Sequence, residues 1–208
     1  MLNIPSYNIG AFSIPYLSGF MGPEAIIVAS LFDIGNSLAT AGTGYAWAMS
    51  VVRGGKERLG AYLQKMLTSP VFDTYLFLLA MQGLGWRLPA PVITFTSTVG
   101  SANTFLAMLM IGIGLELRLE AGRYLAAVKY LAVRYSISLL ISLLVWFALP
   151  LPLEVEIVLT MVLFAPIAAM SAAFTAEAGA DIELSTFMTS VTILMAIVLM
   201  PSIHTVLA

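Results

Sequence analysis

The feature that most constrains this chain is a succession of apolar runs, each long enough to cross a lipid bilayer. A transmembrane helix needs about 20 consecutive, mainly apolar residues. Charged residues, glycines and prolines separate about seven such runs, at roughly 2–21, 24–52, 69–85, 91–115, 124–149, 154–176 and 183–206. The composition agrees, because 60% of the 208 residues are hydrophobic and only 10% are charged. The sequence therefore predicts an all-α polytopic membrane protein with one transmembrane domain over residues 1–208.

The composition also argues against several kinds of site. With no cysteine and a single histidine, His204, the chain has neither a thiolate nucleophile nor the side chains of a metal cluster. It contains no phosphate-binding Gly-Lys-Ser/Thr loop, and the ionisable residues within its apolar runs stand singly. We therefore expect no enzymatic activity, no cofactor or metal, and no nucleic-acid partner.

Lysine and arginine residues set the predicted orientation, because cytoplasmic loops hold the positive excess. The linker from Arg53 to Lys65 is rich in positive charge, and Arg118 and Arg123 follow two runs later, on the same side of the membrane. The alternation puts the acidic turn 177–183 on the cytoplasmic side as well, although that turn carries no positive charge. We predict an integral protein of the plasma (inner) membrane.

In two of the apolar runs, the first and the sixth, we interpret a proline as a break within the span. Pro15 lies in the first run and Pro166 near the middle of the sixth. A proline removes one N–H donor and frees a carbonyl one turn earlier, and at bilayer depth protein or a wet cavity must cover such groups. A lone proline is more often a simple kink, but both of these precede small and hydroxylated residues, an acidic turn and a long apolar helix. Because the two units run in opposite senses, we predict an inverted repeat whose two broken helices cross at a binding site.

The residues around both prolines resemble the auxin efflux carrier family. NIGAFSIP and FMGPEAIIVASLFDIGN resemble its fourth and fifth helices, LAMLMIGIGLEL its seventh, and APIAAMSAAFTAEAGADIELST its ninth helix and the turn into the tenth. The resemblance covers nearly the whole chain and implies part of a 5+5 inverted-repeat transporter, with 2–52 as the end of the first repeat and 69–206 as the second. The first three helices of the family have no counterpart, so we expect an N-terminally truncated transporter or a remnant that needs a partner chain.

The resemblance also implies a function and a substrate site. Members of the family carry small organic anions by alternating access, auxin in plants and dicarboxylates such as malonate in bacteria, and family membership suggests a homodimer. Carried over by position, Pro15 and Pro166 are the crossover prolines, and Asn8 meets the substrate carboxylate. Ser18 and Ser171, which follow the two prolines, complete the predicted substrate-binding residues.

Three further polar residues within the apolar runs each allow two interpretations. Asp33 and Asn36 lie one turn apart on the same helix face. They form either a proton or sodium site coupled to transport, or a buried carboxyl with hydrogen bonds that serve packing. Arg134, about ten residues into the fifth run, either attracts an anionic substrate or extends toward the cytoplasmic headgroups beside Lys129, and we favour the second interpretation.

Two other functions stay open. Because three helices are missing, the chain also fits a nonfunctional or scaffold membrane fragment. A sodium-coupled bile-acid-type transporter or a cation–proton exchanger would share the crossover layout. We rank these carriers second, because sodium takes several oxygen ligands whereas the residues near both prolines, such as Ser13 and Thr160, are neutral. Neutral donors facing helix dipoles suit a carboxylate better than a bare cation.

Overall fold

The computed structural model describes residues 3–44 and 70–208, which fold into helices without any β-strand. A π-helical turn, Ile9–Ser13, leads into α1 (Ile14–Leu17), and α2 (Pro23–Ser37) continues into a second π-helical turn, Leu38–Gly44. The later helices are α3 (Pro70–Gly83), α4 (Ala90–Ile113), α5 (Tyr124–Ala148), α6 (Leu153–Leu163), α7 (Met170–Glu177) and α8 (Ile182–Leu207), and a 3₁₀ turn, Ala121–Arg123, precedes α5. The predicted all-helical class is confirmed.

Helices occupy each of the predicted apolar runs as far as the described residues reach. The end of the second run and the basic linker from Arg53 to Lys65 lie outside those residues. Within the described ranges, two segments are long and apolar enough to cross a membrane, Ala121–Ala148 and Ile182–Leu207. The seven crossings and the inverted repeat therefore remain predictions.

The sixth apolar run is interrupted where the sequence predicts. α6 ends at Leu163, α7 begins at Met170, and residues 164–169 between them are not helical. Pro166 lies inside this second unwound segment, where it has no N–H to continue the helix and pushes the residue before it out of the helical region. The predicted break at Pro166 is confirmed.

The first break lies earlier than predicted, and the expectation that Pro15 opens the helix is wrong. Pro15 is buried in the first turn of α1, where a missing N–H costs little. The π-helical turn before it is wider than an α-turn, and the Ser13 N–H reaches back to the Asn8 carbonyl over 3.0 Å. The chain is unwound instead over residues 3–8, the first unwound segment, which contains Pro5.

α6 is the centre of the bundle. After a first turn that carries Glu154 and Glu156, α6 is apolar on nearly every side, as is typical of an interior helix. Its buried residues include Ile157, Val158, Met161, Val162 and Leu163. Helices α2, α5 and α8 pack around it, and α7 packs on α8. The second unwound segment follows α6 directly, so it is held inside the bundle, with Ala165 at 0% and Ile167 at 1% exposure.

Large apolar side chains cover the outer surface of the described residues. Phe95 and Phe105 of α4 and Phe147 of α5 are all mostly exposed. Apolar surface of this extent is suited to lipid or to further helices rather than to water.

An ion-pair cluster joins the loop before α5 to the start of α8. Nη1 of Arg123 lies 2.8 Å from the Asp181 carboxylate and 3.3 Å from that of Glu183, while Nε lies 3.2 Å from Glu120. Asp181 also caps α8 by accepting the Leu184 N–H. The cluster puts the acidic turn on the same side of the bundle as Arg123, as the predicted alternation of loops requires.

Candidate functional site

The two unwound segments meet directly. The Asn8 N–H donates to the Pro166 carbonyl over 2.8 Å. The Oγ atoms of Ser6 and Ser171, which are 165 residues apart in sequence, lie 2.6 Å from each other. All four residues are buried. Residues 3–8 and 164–171 therefore form one polar centre, here called the crossover.

Arg134 of α5 ties the two unwound segments together. Its terminal nitrogens donate to four main-chain carbonyls, those of Asn3 (2.9 Å), Ile4 (2.7 Å), Ser6 (2.8 Å) and Ala165 (2.9 Å). The guanidinium carbon also lies 4.4 Å from the centroid of the Tyr7 ring. Carbonyls freed by unwinding need donors at this depth, and a guanidinium can supply several from one side chain.

The favoured sequence interpretation of Arg134, an extension toward the headgroups, is therefore wrong. The side chain is only 1% exposed, so it lies in the interior of the bundle. A long cationic side chain reaches for the headgroups when the interior offers no partner. Here the unwound backbone offers partners close at hand, and Arg134 contacts them instead.

Side chains of α2 and α8 satisfy further main-chain groups of the crossover. The Asn36 amide pairs with Tyr7 in both directions, accepting its N–H over 3.0 Å and donating to its carbonyl over 2.8 Å. Thr192 of α8 accepts the Ile167 N–H over 3.0 Å. Each of these bonds replaces one that a continuous helix would have made. The unwound backbone is stable inside the bundle because neighbouring helices supply its partners.

Asp33, a candidate coupling residue, lies beside the crossover. It is 5% exposed, and it accepts a hydrogen bond from Nδ2 of Asn36 over 2.9 Å. A Cβ added to Gly10, at the start of the helix that follows the first unwound segment, would lie 3.6 Å from its Oδ2. The pairing of Asn36 with Tyr7 gives Asn36 a structural role. Proton or sodium coupling at Asp33 and Asn36 remains a prediction.

The structure brings together three of the five predicted substrate residues. Asn8, Pro166 and Ser171 lie at the crossover, whereas Pro15 and Ser18 lie in and after α1. Ser18 is exposed, and its hydroxyl donates to the Pro15 carbonyl over 2.7 Å. The hydrogen bonds of Asn8 within the described residues use its main-chain atoms. Its side-chain amide makes none of these bonds, although the residue is only 6% exposed, so the amide is available to a ligand that enters the crossover.

Sequence reasoning missed Ser6 and Tyr7 and misjudged Arg134, although one signal was present. Arg134, Ser138 and Ser142 recur at every fourth residue and so share one face of α5. All three are buried, and the Tyr7 hydroxyl lies 3.4 Å from Oγ of Ser138. A polar stripe on an otherwise apolar helix indicates partners in the interior.

A cavity of about 560 Å³ lies away from the crossover. It is formed by the starts of α2 and α6 and the end of α8, and its ionisable residues are Glu24, Glu154 and His204. None of the crossover residues lines it. Its size would admit a small ligand, but it does not mark the predicted site.

Comparison with known families gives one match. The model of the sodium bile acid symporter family matches residues 103–208, just over half of the chain. The chain belongs to the sodium bile acid symporter family. It is therefore an integral membrane protein of a transporter family. The matched residues include Arg134, the second unwound segment and α8, but not residues 3–8. A comparison with curated proteins gives no match.

Membership in this family changes the order of the candidates from the sequence analysis. The sodium symporters of the matched family correspond to the bile-acid-type carriers that were ranked second, and they belong with the auxin efflux carriers to one broader group of transporters. The specific resemblance to auxin efflux carriers remains a prediction. The ranking depended on the neutral residues near the two prolines, and these do not decide between the two families.

Proposed function

We propose that this chain carries a small organic anion across the membrane by alternating access, with the crossover as its binding site. The observation that carries the proposal is the hydrogen bond from the Asn8 N–H to the Pro166 carbonyl, which joins two interrupted helical regions inside the bundle. Secondary transporters bind their substrates where such discontinuous helices meet. Membership in a symporter family supports transport, and the crossover gives that transport a site.

The charges around the crossover favour an anion. Helical structure begins at Ile9 after the first unwound segment and at Met170 after the second, so two helix N-termini, with their positive partial charge, adjoin the crossover. Arg134 adds a full positive charge, and among the described residues no carboxylate lies within ion-pair distance of it; the buried carboxyl of Asp33 beside the crossover leaves this excess in place when it is protonated. A carboxylate entering the crossover would reduce this excess and could accept a hydrogen bond from the Asn8 amide.

We propose a small carboxylic acid as the cargo, of the dicarboxylate type that the resemblance implies. A bile acid, named in the description of the matched family, is the alternative cargo. The homodimer that the resemblance suggests belongs to the same proposal, as does the coupling of transport to an ion gradient that Asp33 and Asn36 predict.

Uptake into proteoliposomes that contain the purified chain tests the proposal. Radiolabelled malonate, indole-3-acetate and a bile acid are offered under imposed proton and sodium gradients. We expect at least one acid to accumulate about 10-fold faster than into protein-free liposomes, and excess unlabelled acid to compete with it. Absence of uptake for all three acids under every gradient would contradict the proposal and favour a nonconducting scaffold.

A further inference from the structure

We infer that the guanidinium of Arg134 takes the place of a coupling sodium ion at the crossover and that transport by this chain needs no sodium, since the amide oxygen of Asn36, in the other candidate sodium site, already accepts two hydrogen bonds. The inference deepens the proposed function, on which it rests for its transport measurement. Among the residues that the structure describes, it concerns the one side chain that contacts both unwound segments through its charged group.

The main-chain oxygens at the crossover are the kind of ligand that a sodium ion would use. In secondary transporters, carbonyls of unwound helices coordinate the coupling cation. Here four such carbonyls, three from the first unwound segment and one from the second, converge on the guanidinium at 2.7–2.9 Å. The ring of Tyr7 lies 4.4 Å from the guanidinium carbon and offers its electron-rich face to the same charge. A cation site built from backbone oxygens is thus already filled by a side chain.

The charge of Arg134 also opposes a second cation at this position. A guanidinium stays protonated in proteins, and this one is 1% exposed, away from screening by water. Two positive charges held a few ångströms apart in such surroundings repel each other strongly. Sodium could occupy these carbonyls only after Arg134 had left them.

A built-in cation has a different consequence from a sodium ion. Sodium travels with the substrate and couples its gradient to transport, whereas Arg134 stays with the protein throughout the cycle. The guanidinium can still hold the two unwound segments together and offset the charge of an anion. It cannot draw energy from a sodium gradient.

The first experiment compares sodium with choline for the natural chain, with the membrane potential held constant. We expect the initial rate of acid uptake to change by less than about twofold when choline replaces sodium. We also expect the melting temperature of the purified chain in detergent to be the same in both salts within about 1 °C. A larger loss of uptake without sodium, or a larger stabilisation by sodium, would overturn the inference.

The second experiment empties the carbonyl site. Arg134→Ala leaves space for an ion beside the four carbonyls, whereas Arg134→Met fills that space with an apolar chain. We expect 100 mM sodium, relative to choline, to raise the melting temperature of the alanine variant by about 3 °C and to leave that of the methionine variant unchanged. If sodium stabilises neither variant, or both equally, the carbonyls are not a cation site and the inference fails.

The two experiments separate this inference from the proposed function. If no acid is taken up, the proposed function fails, but the melting temperatures of the natural chain and of both variants still decide whether Arg134 occupies a cation site. If Arg134→Ala does not fold, Arg134→Ser, which also leaves space and carries no charge, replaces it. If uptake is found and requires sodium, the proposed function stands and the inference falls.

Discussion

Replacing Arg134 by methionine is expected to lower the free energy of unfolding by about 3–5 kcal/mol. The reason is the loss of charge-assisted hydrogen bonds to four main-chain carbonyls in the interior of the bundle. A buried acceptor without a donor is costly, whereas a methionine fills most of the vacated volume and leaves little cavity. Equilibrium unfolding in mixed micelles measures the change.

Lys129→Met is the matched control for this variant. Lys129 lies on the same helix, its side chain is exposed, and the substitution again replaces a cation by methionine. We expect it to change the free energy of unfolding by less than about 0.5 kcal/mol. Equal effects from the two substitutions would show that the contacts of Arg134 with the unwound segments do not stabilise the fold.

Asn8→Ala is expected to lower the apparent affinity for the transported acid, measured from uptake at several acid concentrations, by about 10- to 100-fold. In the proposed site, the side-chain amide of Asn8 donates a hydrogen bond to the carboxylate of the substrate. The fold should persist, because the Asn8 N–H still reaches the Pro166 carbonyl and the Asn8 carbonyl still accepts from Ser13. The variant thus separates binding from stability.

The control for Asn8→Ala is Asn103→Ala, the same substitution at an exposed position of α4. We expect uptake by that variant to stay within about twofold of the natural chain. Undiminished uptake by Asn8→Ala would show that the Asn8 side chain does not bind the substrate. A loss of uptake matched by a loss of folded protein would mean that Asn8 acts through structure instead.

The two breaks show where a sequence pattern suffices and where it does not. Pro166 was recognisable because a proline deep in an apolar run can only interrupt the helix or kink it. Pro15 gave the same signal, but a π-helical turn before it accommodates the missing N–H, and no periodic pattern marks such a turn. The observed break, around Pro5, lies within the first predicted apolar run, because hydropathy describes side chains and not the backbone.

The role of Arg134 could not be predicted from its position along α5. Its depth in the span allows two interpretations, attraction of an anionic substrate or extension toward the cytoplasmic headgroups. Its partners at the first unwound segment are about 130 residues away in sequence, as the bonds to Asn3 and Ser6 show. Hydrogen bonds between residues so far apart in sequence depend on how α5 packs against the rest of the bundle. Hydrophobic periodicity carries no information about that packing.

A disulfide across the crossover tests most directly whether the two unwound segments form one centre. The natural chain has no cysteine, so the double variant Ser6→Cys, Ser171→Cys contains only the two introduced thiols. The Oγ atoms at these positions lie within hydrogen-bond distance, 2.6 Å, so the two sulfur atoms that replace them need approach only slightly further to reach the roughly 2.05 Å of an S–S bond. Ser6→Cys with Ser202→Cys is the control, because Ser202 lies about 25 Å along α8 from Ser185, which contacts Asn3.

Both double variants are oxidised mildly in the membrane, digested without reductant and analysed by mass spectrometry. The account predicts a peptide linked between positions 6 and 171 in most molecules of the first variant, and no linked peptide in the control. Two free thiols at positions 6 and 171 after oxidation would contradict the meeting of the unwound segments, and with it the proposed binding site.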